Sequence, residues 1–261
     1  MRKDLGSKKL IVFDLDGTLA ESKSKMDAQM DALITNLLRA RKVAVIGGGK
    51  YDLFKSQFVR ELSASKDLLK NLFLFPTTAT SFYRYDKGWK KIYSLHLNKK
   101  EKADNRKAFR DAFEEDGYVH PKNTYGKVIE DRGTQVTFSA LGQEVVAVLG
   151  KKGLALKNKW KEENTQTKLK LAKVLQRHLP KLEVRAAGHT SIDITRKGID
   201  KAYGIQQIEK HLHIPKKHML FVGDALFPGG NDYAVKRTGV ECIPVEGPED
   251  TKKIIRAILA G

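Results

Sequence analysis

Cysteine is almost absent. The chain has 261 residues and one cysteine, Cys242. That excludes an internal disulfide framework and fits a reducing compartment. No apolar run approaches the length of a membrane span, roughly 20 residues. The opening stretch MRKDLGSKK is charged and lacks the apolar segment of a signal peptide. These absences predict a cytoplasmic protein with no membrane partner. Internal repeats and low-complexity segments are also missing. Acidic residues are scarce, 31 Asp and Glu against 49 Lys and Arg, which leaves a net charge of +18. The apolar fraction of 41% is ordinary for a globular chain, and the length suffices for one large domain or two smaller ones.

The basic excess is uneven. Arg84 to Ala187 holds 24 Lys and Arg against 13 Asp and Glu, an excess of 11. Such a chain attracts phosphates, nucleic acids or anionic surfaces. A lysine-rich solvated surface is the plainer reading. No nucleic-acid motif is present, and aromatic residues do not interleave the basic runs. A nucleic-acid-binding protein on an enzyme scaffold is therefore the weakest of the functional readings. A small phosphorylated metabolite is the expected partner.

Near-continuous apolar strands alternate with amphipathic helices at both ends of the chain. KKLIVFD, VAVIGGG and LFLFP read as strands, with helices over Asp27–Arg41 and from Tyr51. The alternation resumes with DKAYGIQQIEKHL, HMLFVGD, NDYAVKRTG, VECIPV and PEDTKKIIRAIL. This pattern predicts a doubly wound, Rossmann-like parallel sheet covered on both faces. The middle differs. A hairpin turning at Asp86–Gly88, a helix over Lys99–Glu115, a strand pair turning near Arg132–Gly133, a helix over Thr165–His178 and a strand pair turning near Gly188 describe an α+β unit. The expected organisation is a core domain of residues 1–83 and 197–261, with an inserted domain of residues 84–196. A homodimer through the inserted domain is a further expectation.

The run VFDLDGTLA places Asp14 at the end of the first strand and Asp16 two residues later, with Gly17 permitting a sharp exit. A later strand ends at Gly223–Asp224, with Asp232 beyond a glycine-rich loop. In open parallel sheets ligands bind beyond the carboxyl ends of the strands. Carboxylates converging there repel one another unless a cation lies among them. Oxygen ligands in a partly hydrated site suit Mg²⁺. A carboxylate can attack phosphorus, a neighbouring acid can move the proton, and a lysine can neutralise the phosphoryl oxygens. Lys201, opening a helix after KGID, is the candidate lysine.

DLDGTL (Asp14–Leu19) and GDALFPGGND (Gly223–Asp232) resemble the first and last motifs of the haloacid dehalogenase superfamily of phosphotransferases. The insertion resembles the large α/β cap of subclass IIB. GGND, PEDT at Pro248–Thr251 and SIDI at Ser191–Ile194 are similar to eukaryotic-type phosphomannomutases and their bacterial phosphatase-like relatives. The resemblance implies that Asp14 is the nucleophile and a metal ligand. Asp16 would be the general acid and base, lending its backbone carbonyl to Mg²⁺. Asp224 and Asp232 would serve the metal, and Lys201 would pair with the nucleophile and the phosphoryl group.

Two departures stand out. The hydroxyl usual at the end of the second strand is replaced by Gly47, Gly48 and Gly49, whose backbone N–H groups are expected to hold phosphate instead. Phosphomannomutases grip a distal phosphate with several cap arginines. Arg132 matches the first, but the next two positions hold Gln143 and Gly150, and Lys23 stands where an arginine is usual. Gln135, Thr137 and Ser139 share one strand face, as do Ser191, Asp193 and Thr195. That polar face is read either as substrate-binding, with Gln135, Ser191 and Asp193 joining Lys23 and Arg132, or as a solvated surface. The leading functional reading is a Mg²⁺-dependent phosphatase for a small, sugar-like phosphomonoester. The alternative is a phosphomannomutase or another hexose-phosphate mutase.

Overall fold

The structure is a computed structural model that describes residues 5–22 and 24–260. Lys23 lies outside them. The first apolar run forms β1 (Leu10–Asp14), buried throughout. In α1 (Ala28–Ala40), Asp27 caps the helix by accepting from the Met30 N–H at 2.8 Å, and Met30, Ile34, Leu37 and Leu38 turn inward. Next come β2 (Lys42–Ile46), α2 (Tyr51–Gln57) and β3 (Leu72–Phe75). A single turn, α3 (Pro76–Ala79), leads into the hairpin of β4 (Ser81–Tyr85) and β5 (Trp89–Ser94).

The middle of the chain holds α4 (Lys99–Asp116), β6 (Ile129–Asp131), β7 (Val136–Ser139), α5 (Val145–Leu149), α6 (Lys151–His178), β8 (Leu182–Ala187) and β9 (Ser191–Arg196). The last part holds α7 (Lys201–Leu212), β10 (Met219–Gly223), β11 (Glu241–Pro244) and α8 (Pro248–Ala260). Two compact units result, one from Leu95 to Gly198 and one from the two flanking segments.

In the flanking unit the strand order is β11-β10-β1-β2-β3-β4-β5. The first five strands run parallel, β4 pairs antiparallel with β3, and β5 pairs antiparallel with β4. The first division of the chain therefore falls at Ser94 rather than at residue 83. The hairpin pattern groups it with the inserted α+β unit, but its pairing is with the core sheet: Phe73 opposes Arg84 and Leu74 opposes Tyr83. Alternate residues of β1 face opposite layers. Ile11 and Phe13 pack with Met30, Ile34 and Ile255, while Leu10 and Val12 pack with Ile205, Ile208 and Phe221. Helices on both faces account for strands with no polar alternation. Buried Lys252 ties α8 to the start of α1, donating to Asp27 at 2.7 Å and Glu249 at 2.6 Å.

The other unit is an antiparallel sheet in the order β6-β7-β9-β8. Its core gathers Phe109, Phe138, Trp160, Leu171, Ile192 and Ile194. The sequence pattern starts its long helix at Thr165, but α6 begins at Lys151. Gly153 disguises the first turns. A Cβ there would lie 2.2 Å from the Val145 carbonyl oxygen, so a side chain would separate α6 from α5. The predicted helix NDYAVKRTG is a tighter 3₁₀ stretch, Tyr233–Thr238, closed by Gly239 at φ +79°. Among the described residues, no helix is long and apolar enough to cross a membrane.

Candidate active site

The register of the core sheet builds the site. Asp14 pairs with Ile46 of β2, and Phe13 with Val222 of β10. The carboxyl ends of three parallel strands thus open at one edge, carrying Asp14, the Gly47–Gly49 loop and Asp224. Asp14, Asp224 and Asp232 each offer an oxygen within 4.8 Å of the others. Lys201 enters from the first position of α7. A cation at a helix amino terminus opposes the helix dipole and needs compensation. Here it donates to Asp14 Oδ1 at 2.5 Å and to Asp232 Oδ1, with 2% of its surface exposed. The second Asp232 oxygen accepts from the Ala225 N–H at 3.0 Å. Both oxygens of Asp232 are thereby engaged, one of them by the lysine.

Burial raises the Asp14 carboxyl well above the usual range, and Asp232 and Asp224 push the same way against Lys201. Burial also lifts Asp224 to about 6, with Asp232 adding to it, Lys201 opposing and Asp16 contributing a smaller push. Desolvation would depress the Lys201 ammonium, but the two carboxylates beside it overcome that and hold it charged. Three carboxylates against one ammonium leave two uncompensated negative charges. The donor set, all carboxylate oxygen and short by two positive charges, fits a hard divalent cation such as Mg²⁺.

Glycines make the approach possible. Gly17 has φ +83°, and a Cβ on it would lie 2.5 Å from Asp224 Oδ2. A Cβ on Gly223 would lie 2.4 Å from Asp232 Oδ2. The DLDGTL turn is fixed by its own backbone: Gly17 N–H donates to Ala20 O at 2.7 Å, and Leu19 N–H to Leu15 O at 3.0 Å. Asp16 is half-buried beyond the strand end, open enough to exchange protons. Thr18 of the same motif buries its hydroxyl with no hydrogen-bond partner among the described residues, a feature the motif alone does not signal.

The glycine loop is engaged differently from expectation. Gly47 donates its N–H to Phe75 O at 3.4 Å and accepts at its carbonyl from Thr78 N–H at 2.9 Å. Its own N–H thus continues the ladder to β3 rather than facing outward. Thr77, Thr78 and Ala79 all take positive φ, 49°, 56° and 59°. Left-handed threonines are strained, by roughly 1–2 kcal/mol per residue. The turn is held by Thr77 N–H to Gly49 O at 2.9 Å and by Thr80 Oγ1, which donates to Thr77 O at 2.6 Å. No propensity rule signals a left-handed turn at PTTA.

The remaining candidates lie in the Leu95–Gly198 unit. Register sets Thr137 opposite Asp193, and Thr137 Oγ1 donates to Asp193 Oδ1 at 2.7 Å. Gln135 Nε2 donates to Thr137 Oγ1 at 2.8 Å. Gln135, Thr137, Ser139 and Thr195 are buried. Ser191 is half-buried, in register with Ser139. Arg132 donates from Nε to Glu130 at 2.9 Å and from Nη2 to Gln143 Oε1 at 3.0 Å. The glutamine at a position where arginine is usual is thus a partner of the arginine that is present.

A family model of haloacid dehalogenase-like hydrolases matches residues 11–235. The chain is similar to a phosphomannomutase of Encephalitozoon cuniculi, 27% identical over 96% of this chain and 94% of that one. It is similar to a phosphomannomutase of Drosophila melanogaster at 27% identity, over 96% and 95% of the two chains. Among solved structures, its fold is similar to an IMP-nucleotidase of Plasmodium falciparum, with TM-score 0.68, 14% identity, and coverage of 97% of this chain and 61% of that one. A haloacid dehalogenase-like hydrolase of Bacteroides thetaiotaomicron aligns at TM-score 0.61 and 13% identity, over 96% and 99%. With two acid-bearing strand ends meeting one buried lysine and a family match across most of its length, the chain belongs to the haloacid dehalogenase-like hydrolases.

Proposed function

We propose that the protein is a Mg²⁺-dependent phosphatase for a small phosphomonoester, a sugar phosphate in class. The observation that carries this is the buried cluster of Asp14, Asp224, Asp232 and Lys201 at one sheet edge. Asp14, Asp224 and the Asp16 carbonyl would hold the metal, which supplies charge neutralisation for the phosphoryl oxygens. Asp14 attacks phosphorus through a carboxylate oxygen, and the bond to the substrate's ester oxygen breaks. Asp16 gives that oxygen its proton, and the alcohol leaves. An acyl-phosphate then links Asp14 to the phosphoryl group. Asp16, now ionised, takes a proton from water as the water attacks phosphorus, releasing phosphate and regenerating Asp14. Lys201 holds Asp14 in place and balances charge gathering on the phosphoryl oxygens. Asp232 fixes Lys201. Gly48 of the glycine loop adds backbone contact to phosphate, and Arg132, Gln135, Ser191 and Asp193 contribute to choice of substrate.

The full-length relatives named phosphomannomutase favour a second reading, a hexose-phosphate mutase. Gln143 and Gly150 argue against it, because neither can grip a second phosphate bidentately. The test is a screen of sugar phosphates with Mg²⁺, with and without a hexose bisphosphate, on wild type and Asp14→Asn. Phosphate release that needs no bisphosphate and vanishes in folded Asp14→Asn is the expected result. Activity that depends on the bisphosphate and yields an isomeric sugar phosphate supports the mutase.

A further inference from the structure

The edge of the core sheet opposite the acids is basic. A cavity of about 450 Å³ lies where β1 and β2 begin and α1 ends, lined by Lys8, Lys9, Arg39, Arg41 and Lys42, with no acidic residue in its wall among the described residues. Lys8 is neutralised by Glu241 at 2.9 Å. The other four have no carboxylate within ion-pair distance among the described residues. Lys9, Arg39 and Lys42 are exposed. Arg41 is held rigidly: Nη1 donates to Ala40 O at 2.9 Å and Nη2 to Gly6 O at 3.0 Å. Its Nε is buried and has no acceptor among the described residues.

Cations at the carboxyl end of α1 complement the helix dipole. That accounts for Arg39 and Arg41 but not for Lys9 or Lys42, which open strands. Four such cations around a concavity of this size match a small anionic ligand, since ligand cavities run from roughly 300 to 1,000 Å³.

We propose that this cavity binds a small phosphate-bearing molecule at a second site, separate from the acidic centre. β1 spans Leu10–Asp14 between them, which at about 3.3 Å per residue sets the two ends roughly 16 Å apart. The ligand's anionic oxygens would be shared among Lys9, Arg39, Arg41 and Lys42, and its less polar part would rest on Ile214. The site does not depend on the catalytic reading, and its test is independent of turnover.

The probe is inorganic pyrophosphate, titrated into the full chain in EDTA while backbone amide shifts are followed. Without divalent metal the acidic centre repels the probe. Saturable shifts at Ser7, Lys9, Lys42 and Asn71 are expected, with the Asp14 and Asp224 amides unmoved. Arg39→Gln/Lys42→Gln should weaken binding about tenfold or more, as loss of charge-assisted contacts does, with p-nitrophenyl phosphate turnover unchanged. Both residues are exposed, so the fold should survive; Lys9→Gln repeats the test if it does not. Shifts that never saturate, or saturation unaltered by both variants, would overturn the proposal. So would a short single-stranded DNA displacing pyrophosphate with far higher affinity, which would make the edge a nucleic-acid surface.

Discussion

Lys201 and Asp14 stand 187 positions apart in sequence, yet the lysine ammonium donates to the aspartate carboxylate at 2.5 Å. The lysine is the sole positive charge in contact with Asp14 and Asp232 among the described residues. Lys201→Met removes it and leaves the carboxylates facing one another in a buried pocket. Breaking such a pair costs about 3–5 kcal/mol, because the remaining charges stay buried. Urea denaturation in EDTA should show that loss, and Mg²⁺ should restore part of it by supplying positive charge. Phosphate release should fall about 10²-fold or more even in saturating Mg²⁺. Near-wild-type turnover would remove Lys201 from the catalytic set.

Gly17→Ala tests the close approach beside the second acid. The new methyl would meet Asp224 Oδ2 at 2.5 Å on a backbone at φ +83°. Non-glycine residues there lose about 1 kcal/mol or more in stability. The larger effect should be on metal use, because relief of the contact displaces the Asp224 carboxylate. The Mg²⁺ concentration for half-maximal activity should rise several-fold. A rise in Mg²⁺ demand without a large loss of stability separates this from simple misfolding. An unchanged Mg²⁺ requirement means that Asp224 is not a ligand.

Much of this site is legible in the sequence because strand ends are marked by composition. Leu10–Phe13 and Met219–Val222 are apolar runs stopped by acids, and a parallel sheet aligns such ends at one edge. The pairing of β4 with β3 is not legible in the same way. Both strands of the hairpin mix apolar and charged residues, and nothing local says whether β4 extends the core sheet or begins the insertion. The left-handed Thr77–Ala79 turn runs against threonine's own preference and depends on Gly47 and Gly49 carbonyls contributed from another loop. The role of Gly47 is hidden for the same reason: its N–H continues a ladder to Phe75 that only the tertiary register shows.

His189 should make stability fall with acid. Burial, then Lys157, Lys161 and Lys168, push its imidazole down to about 4, against an ordinary value near 6.5. Its Nδ1 is buried without a hydrogen-bond partner among the described residues. Between those two values the unfolded chain binds a proton that the folded chain refuses, so stability drops as pH falls from about 6.5 toward 4. Above that window both states are neutral at this position, and below it both are protonated. His189→Gln removes the titration. The stability difference between wild type and variant, by denaturant melts at pH 7.5 and 4.5, should shift in the variant's favour at the lower pH. A pH-independent difference would show that the imidazole protonates freely in the folded state.

Arg132 separates substrate choice from scaffold. Its side chain is 8% exposed and forks between Glu130 and Gln143. A purely structural arginine would affect all substrates alike when removed, through lost stability. If it also serves the substrate, Arg132→Ala should lower kcat/KM for the best sugar phosphate far more than for p-nitrophenyl phosphate, which has no sugar to recognise. A charge-assisted contact is worth about 1.5–3 kcal/mol, so the ratio of the two constants should fall roughly 10- to 150-fold. Binding energy from a remote group can be used at the reacting centre, so kcat should fall along with any rise in KM. Arg132→Lys keeps the charge beside Glu130 but loses the fork to Gln143, and should recover stability more fully than the ratio. A melting temperature lowered in Arg132→Ala with the ratio unchanged would confine Arg132 to holding β6 and the Gln143 loop together.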